Sequence, residues 1–336
     1  MSEFREDPIT GRRVILVPGR AARPNEHAVA PPTATTVGDC PFCEGNESRT
    51  PAELAAVGAP GRRPNGPGWQ VRVIPNRFPT VEGGPSPPGA KEEAGRLDGR
   101  PASGYHEVVI ESPTHSPGLP FLPEDQVLRV LRMCRDRVRY LSERSPGGSV
   151  TLFENVGPES GGSLWHPHSQ LVAVPVVSPS LLEEMEGAER FRGRTGAGCA
   201  FEEVAKWETR DGSRRIFDSG GLVAYAPFAS AYPFEVRLLP SRHAPSFGEA
   251  TDEEVEALAR RLPPLLQALL SVVPGASYNL VVRAPATAYD RYHWHLDLYP
   301  RLVRPDGFDL GSGFHVNTVS PEDAAEALRA ALGAKR

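Results

Sequence analysis

The sequence predicts an α+β fold built from two tandem copies of one strand–helix–strand unit, with antiparallel sheets and flanking helices. Three observations predict it. First, "YHEVVIESPTH" (105–115) and "PFEVRLLPSRH" (233–243) echo each other: each opens a strand with Glu-Val and closes on a histidine eight residues after the glutamate. Second, the histidines of the two copies recur at almost one offset, with His243 lying 128 residues after His115 and His293 lying 127 after His166. Third, the apolar stretches succeed one another at hairpin-like spacing, without a regular βαβ alternation.

Each element can be justified in order. After the first echo, Val127, Val130, Leu131, Cys134, Val138 and Leu141 fall at helical spacing, and Pro123, Glu124 and Asp125 suit the first turn. A strand over 150–157, "VTLFENVG", comes next. Then "SLWHPHSQLVAVPVV" (163–177) carries two histidines around a proline and an apolar run that reads as a buried strand. In the second copy Thr251 and Glu254 form a capping-box signature, and Val255, Leu258 and Leu262 mark the helical stripe. Pro263 and Pro264 are expected to kink or end that helix. A strand over 278–285, "YNLVVRAP", precedes "YHWHLDLYP" with His293 and His295. Ser320 and Pro321 open a last helix over 320–332. The repeat divides the chain into halves at 1–178 and 179–336. The Gly/Pro-rich stretches 58–68 and 82–104 read as surface loops.

The net charge of −5 argues against nucleic acid or an anionic membrane as the main partner. "MSEFREDPITGRR" lacks the apolar core of a secretory signal, and no apolar run approaches the roughly 20 residues of a membrane span. Four cysteines, two of them in one C-x-x-C, suit a reducing cytoplasm with free thiols better than a disulfide framework.

The chemistry-bearing residues cluster in the first half. Cys40 and Cys43 in "CPFC" can grip one ion from a single turn, and zinc wants about four such ligands in a tetrahedron. His115 and His166 are the natural remaining pair. Plain thiols or a redox dithiol are the competing readings, the second weakened by the lack of a surrounding βαβ pattern. His168 stands two residues from His166 and so shares its face of an extended segment. A neutral imidazole is a good nucleophile toward phosphorus near pH 7, provided its other nitrogen is held, most simply by a backbone carbonyl. Gln170, on that face again, can donate its amide to a phosphoryl oxygen. Gly161, Gly162 and Ser163 can bring backbone N–H groups to phosphate. The alternative for the H-P-H is a structural pair.

Taken together, "FENVGPESGGSLWHPHSQ", "CPFC", "PNRFP" and "SPTH" closely resemble the galactose-1-phosphate uridylyltransferase family, the transferase branch of the histidine-triad superfamily. The resemblance runs from "DPITGRRVIL" to "YHWHLDLYPRL". It implies tandem histidine-triad-like units and a double displacement. UMP would pass from UDP-glucose to galactose 1-phosphate through a covalent uridylyl-histidine. By this resemblance His168 is the nucleophile, Gln170 stabilises the phosphoryl group, and zinc sits on Cys40, Cys43, His115 and His166. Arg20, Arg23, Asn76, Asn155 and Ser163 match the family's nucleotide and phosphate contacts. The partners it implies are a UDP-sugar, a hexose 1-phosphate and a second copy of the chain in a homodimer. A same-fold adenylyltransferase of the ADP-glucose phosphorylase type is the close rival, and a non-catalytic nucleotide-binding zinc protein the distant one.

In some relatives the second half keeps its own metal site. The matching positions here are Cys199, Glu202, His243 and His293, with a carboxylate in place of one thiolate. That replacement, and Arg283 on a strand where some relatives have histidine, lead to the expectation of one metal per chain. His27, His106 and His315 have no evident partner in the sequence and are expected to be ordinary surface or core residues.

Overall fold

A computed structural model describes residues 2–19, 39–84, 101–286 and 289–333. The chain runs through β1 (Glu3–Glu6), β2 (Arg13–Leu16), β3 (Ala55–Gly58), β4 (Trp69–Pro75), β5 (Glu82–Gly83) and β6 (Ser103–Ile110). Then come α1 (Glu124–Arg144), β7 (Ser149–Val156), β8 (His168–Val174), α2 (Pro179–Thr195) and α3 (Ala200–Asp211). The second copy continues as β9 (Arg215–Ser219), β10 (Leu222–Tyr225), β11 (Val236–Pro240), α4 (Asp252–Val272), β12 (Tyr278–Pro285) and β13 (Leu296–Pro300). The chain closes with α5 (Gly307–Ser312), β14 (His315–Asn317) and α6 (Pro321–Gly333).

Both copies lie in one sheet, ordered β3-β4-β6-β8-β7-β12-β13-β11-β10-β9, with every neighbour antiparallel and β5 added parallel to β6. The order reads the same from either end: β6, β8 and β7 on one side answer to β11, β13 and β12 on the other. The seam is β7 against β12, paired along eight residues from Ser149↔Pro285 to Val156↔Tyr278. Near the chain ends, β1, β2 and β14 form a separate small sheet.

Alternation along the strands gives the sheet two faces. On one, Val109, Leu171, Val150, Leu280, Leu296 and Leu238 meet the stripes of α1 and α4 in a single apolar cluster spanning both halves. On the other, α2 and α3 cover the second half through Leu181, Phe191, Phe201 and Tyr225, while His168 and Gln170 of the first half lie on this same side. The open half-face is where the site is built.

Two sequence expectations need correction. Of the two outcomes expected at Pro263–Pro264, a kink or an end, the end does not occur: α4 continues to Val272. Each interior proline costs about 3 kcal/mol. Leu262, Leu265, Leu266 and Leu269 are all buried along that stretch, and each returns about 1.5–3 kcal/mol. The balance favours one long helix. The echoed glutamates are also not equivalent. Glu107 lies inside β6 and takes a two-pronged ion pair from Arg137 of α1. Glu235 precedes β11 and is held by Arg12 and the N–H groups of Ala231 and Tyr232.

Candidate active site

The H-P-H delivers His168 as the first residue of β8. Its Nδ1 lies 2.8 Å from the His166 carbonyl oxygen. That oxygen can only accept, so Nδ1 carries the proton and Nε2 the lone pair. Burial holds the imidazole below its ordinary pKa, and the bond to the carbonyl offsets only part of that. The ring is therefore neutral at pH 7. Phe42 packs edge-on against it, with centroids 5.3 Å apart.

Gln170 is the next residue of β8 on the same face. Its Oε1 accepts from His106 Nε2 at 2.9 Å and from Asn76 Nδ2 at 3.3 Å. With the carbonyl end engaged, the amide end is the donor left without a partner among the described residues. Near the end of β7, Asn155 Oδ1 accepts from Asn279 Nδ2 at 2.7 Å across the seam, and Asn279 Nδ2 also reaches the Ser160 carbonyl at 2.9 Å. The turn after β7 needs its glycines. Gly161 sits at φ +84°, and a Cβ on Gly162 would lie 2.9 Å from the Asn155 carbonyl oxygen. Ser163 is exposed on the loop leading to the H-P-H. Arg20, Arg23 and His27 lie outside the described residues.

The first candidate metal-binding group, Cys40, Cys43, His115 and His166, also converges. His166 donates through Nε2 to the Ser112 carbonyl at 2.7 Å, which turns Nδ1 toward the thiols. Nδ1 lies 3.5 Å from Cys40 Sγ and 3.6 Å from Cys43 Sγ, and Cys43 Sγ lies 3.9 Å from His115 Nδ1. A tetrahedral zinc site with ordinary bond lengths has sulfur–nitrogen edges of roughly 3.6 Å, so the donor set fits. Burial and the neighbouring Cys40 push the Cys43 thiol up to about 11, the cost of crowding two thiols that a cation would relieve.

Cys199, Glu202, His243 and His293 are brought together in the same way. Cys199 opens α3 and Glu202 lies in its first turn. His293 Nε2 faces the Pro240 carbonyl at 3.0 Å, and its Nδ1 is 3.9 Å from both Cys199 Sγ and Glu202 Oε1. His243 Nδ1 is 3.2 Å from Glu202 Oε1. One thiolate plus one carboxylate carries the same charge as two thiolates. One reason for expecting a single metal does not hold: Arg283 is not at this cluster. Its guanidinium binds Asp297 at 3.0 Å, Tyr299 at 3.2 Å and Glu184 at 3.4 Å.

Those partners surround His295, the counterpart of His168. His295 Nδ1 faces the His293 carbonyl at 2.9 Å, as in the first half. Its Nε2, however, is 3.5 Å from both Glu184 and Asp297. Burial and Arg237 oppose the charged ring, but Asp297 and Glu184 outweigh them and hold its pKa above the ordinary value. Glu184, His295 and Asp297 could in principle hold a cation. Arg237 and Arg283 already neutralise them.

Behind β8, on the helical face, Ser169 Oγ donates to Glu111 Oε1 at 2.5 Å. Burial pushes the Glu111 carboxyl up to about 7, and burial plus Glu111 push Glu154 well above its ordinary value. A cavity of about 30 Å³, room for one water, adjoins Ser169, Glu154 and Cys134.

The structure thus brings His168, Gln170 and Asn76 together, sets Asn155 beside the glycine turn, and assembles both four-residue clusters. Sequence reasoning missed His106, Asn279, Phe42 and the Glu111–Glu154 pair. His106, expected to be unpartnered, is not. Its alternation with Val108 and Ile110 along β6 was the available signal. Asn279 had none, because the seam register cannot be read from spacing.

Known proteins share this sequence pattern and fold. A sequence model described as galactose-1-phosphate uridyl transferase, N-terminal domain, matches residues 1–178. An ADP-glucose phosphorylase of Arabidopsis thaliana is 31% identical, over 97% of this chain and 92% of its own. A galactose-1-phosphate uridylyltransferase of Thermotoga maritima is 28% identical, over 98% of each chain. Among solved structures, an Arabidopsis thaliana ADP-glucose phosphorylase with bound ADP-glucose superposes with a TM-score of 0.81, at 30% identity and 98% coverage of both chains. Among the described residues no helix is long and apolar enough to cross a membrane.

Proposed function

The chain belongs to the galactose-1-phosphate uridyl transferase family, and from that premise we propose that it transfers a nucleoside monophosphate between sugar phosphates through a covalent intermediate on His168. One observation carries the reading. His168 is tied at Nδ1 to a carbonyl, which leaves Nε2 unprotonated, and Gln170, two residues on along the same face of β8, has its carbonyl end engaged by His106.

In the first half-reaction Nε2 attacks the α-phosphorus of a nucleoside diphosphate sugar. A P–N bond forms, the bond from phosphorus to the bridging oxygen breaks, and sugar 1-phosphate leaves with the electron pair. The ring gains positive charge, which the His166 carbonyl at Nδ1 stabilises. The Gln170 amide holds a non-bridging oxygen as charge shifts in the transition state. In the second half-reaction a phosphate oxygen of the acceptor attacks and the P–N bond breaks. Asn76 acts by orienting Gln170. Asn155, Gly161, Gly162 and Ser163, with Arg20 and Arg23, are assigned to the nucleotide and its phosphates. Zinc on Cys40, Cys43, His115 and His166 would have all four positions filled by protein, so its contribution is to lock the Cys40–Cys43 turn and the H-P-H together.

For donor and acceptor we take UDP-glucose and galactose 1-phosphate, with residues 1–178 carrying the chemistry and 179–336 completing the scaffold, in a cytoplasmic homodimer. A second reading, phosphorolysis of ADP-glucose, is favoured by the 31% identity to the Arabidopsis thaliana ADP-glucose phosphorylase. Incubation with UDP-glucose or ADP-glucose labelled at the α-phosphorus, followed by acid-free denaturation and peptide mapping, tests both. Label is expected on His168 and absent from His168→Asn, and the base that labels names the donor. Failure of both donors to label the wild type would overturn the transfer reading.

A further inference from the structure

A glutamine side chain has two nearly isosteric ends, and turning it over exchanges a donor for an acceptor. A phosphoryl oxygen needs the donor. We propose that His106 is a positioning residue that fixes which end of Gln170 faces the open side of β8. This inference rests on Gln170 serving the phosphoryl group.

The orientation is traced back to the main chain in two steps. Thr80 N–H donates to His106 Nδ1 at 3.0 Å. A neutral ring that accepts at Nδ1 carries its proton on Nε2. That Nε2–H is the one directed at Gln170 Oε1, 2.9 Å away. Asn76 is set in the same manner. Its Oδ1 accepts from Phe78 N–H at 2.8 Å, which leaves Nδ2 as the end aimed at Gln170 Oε1, 3.3 Å away. The Asn76 N–H also donates to the His106 carbonyl at 2.8 Å, so the two side chains share one backbone junction between β4 and β6. Asn76 Nδ2 also lies 3.1 Å from His106 Nε2. With the His106 proton on Nε2 both nitrogens are donors, so they do not bond each other and both turn to the Gln170 carbonyl oxygen. Gln170 can satisfy both only with its oxygen turned toward β6 and its amide turned away.

The ring is held in the required state. A doubly protonated imidazole would set an Nδ1–H against the Thr80 N–H. His106 is buried, and burial keeps its pKa below the ordinary value. His106 pairs with Val172 in register and Val108 with Gln170, so the contact is a diagonal between neighbouring strands of the same face. The residue touches no reacting atom in this arrangement and acts only through Gln170.

Two conservative variants separate the functions of the two ring nitrogens. In His106→Asn the amide oxygen can replace Nδ1 as acceptor for Thr80, but no donor reaches Gln170. In His106→Gln the amide nitrogen can replace Nε2 as donor to Gln170, but the Thr80 N–H loses its acceptor. Single-turnover formation of the nucleotidyl-enzyme, with UDP-glucose and ADP-glucose as probes, should be slowed roughly 10- to 100-fold in His106→Asn with little change in KM. His106→Gln should stay within a few-fold of wild type. The Tm should run the other way, with His106→Asn the more stable of the two. Equal rates in the two variants, or rates that follow Tm, would overturn the assignment. The relay is also read without turnover. Nitrogen-15 NMR of the wild type should give the Nε2–H tautomer at His106, and the Gln170 amide resonances should shift in His106→Asn and not in His106→Gln. An Nδ1–H tautomer would end this inference even if His168 is labelled. A correct tautomer with no labelling would instead end the transfer reading.

Discussion

Replacing Glu111 by Gln keeps the oxygen that accepts from Ser169 and removes one acid from the pair behind β8. In the folded chain burial pushes the Glu111 carboxyl from 4.5 up to about 7. The unfolded chain titrates it near the ordinary value. The folded state thus holds this proton more tightly, so its contribution to stability is complete below about pH 4.5 and is lost as pH rises through about 7. With each unit of displacement equal to about 1.36 kcal/mol, the loss between pH 5 and pH 8 comes to about 2.5 kcal/mol. For a chain of this length that corresponds to about 3 °C in Tm. Calorimetry of wild type and Glu111→Gln at half-unit steps from pH 5 to pH 8 reads the effect, because titrating groups outside the Glu111–Glu154 pair cancel in the comparison. The wild-type Tm should drop relative to the variant by about 3 °C across that window. Parallel curves would refute the presence of a proton-holding pair behind the strand.

Four further outcomes rest on the same geometry. Gln170→Ala should slow both half-reactions by roughly 10²-fold while leaving Tm near wild type, since it removes a donor acting on developing charge; an unchanged labelling rate would show that the amide faces something else. Cys43→Ser should lower zinc content and Tm together, as measured by metal analysis and calorimetry, and loss of activity with both intact would point to a thiol role instead. The cluster at Cys199 exchanges a thiolate for a harder carboxylate, so any metal it takes up should be stripped by a graded chelator before the metal at Cys40. Cys199→Ser should abolish that early-released metal alone, and its survival in Cys199→Ser would place the weak site elsewhere.

The sequence made the repeat, the H-P-H, Gln170 and both four-residue clusters legible, because each is a short motif whose spacing dictates a shared face or turn. Alternation two residues apart was enough to put His168 and Gln170 side by side. What it could not convey is pairing between distant strands. His106 meets Gln170, and Asn155 meets Asn279, only through the registers of β6 on β8 and β7 on β12. Arg283 shows the same limit from the other side. Its place on β12 was visible, but that its charge is absorbed by Asp297 and Glu184, away from Cys199, depends on which strand face it occupies. The proline pair in α4 failed as a stop signal because local propensity was set against four buried leucines that only the tertiary core supplies.

The seam between β7 and β12 constrains how this chain can diverge over generations. Each strand has the other as a neighbour over eight residues at the middle of the sheet. A truncation that discards either half would strand a long, bare, apolar edge of the kind that recruits other chains into aggregates. The second copy therefore matters as backbone whatever its own imidazole, flanked by Glu184 and Asp297, does. Genetic drift meets two regimes in it. Side chains around His295 are tied together by charge, so a change at one calls for a compensating change at another. Tyr278, Leu280 and Val282, whose burial holds the seam in register, and Asn279, which reaches across to Asn155, are tied instead to the seam.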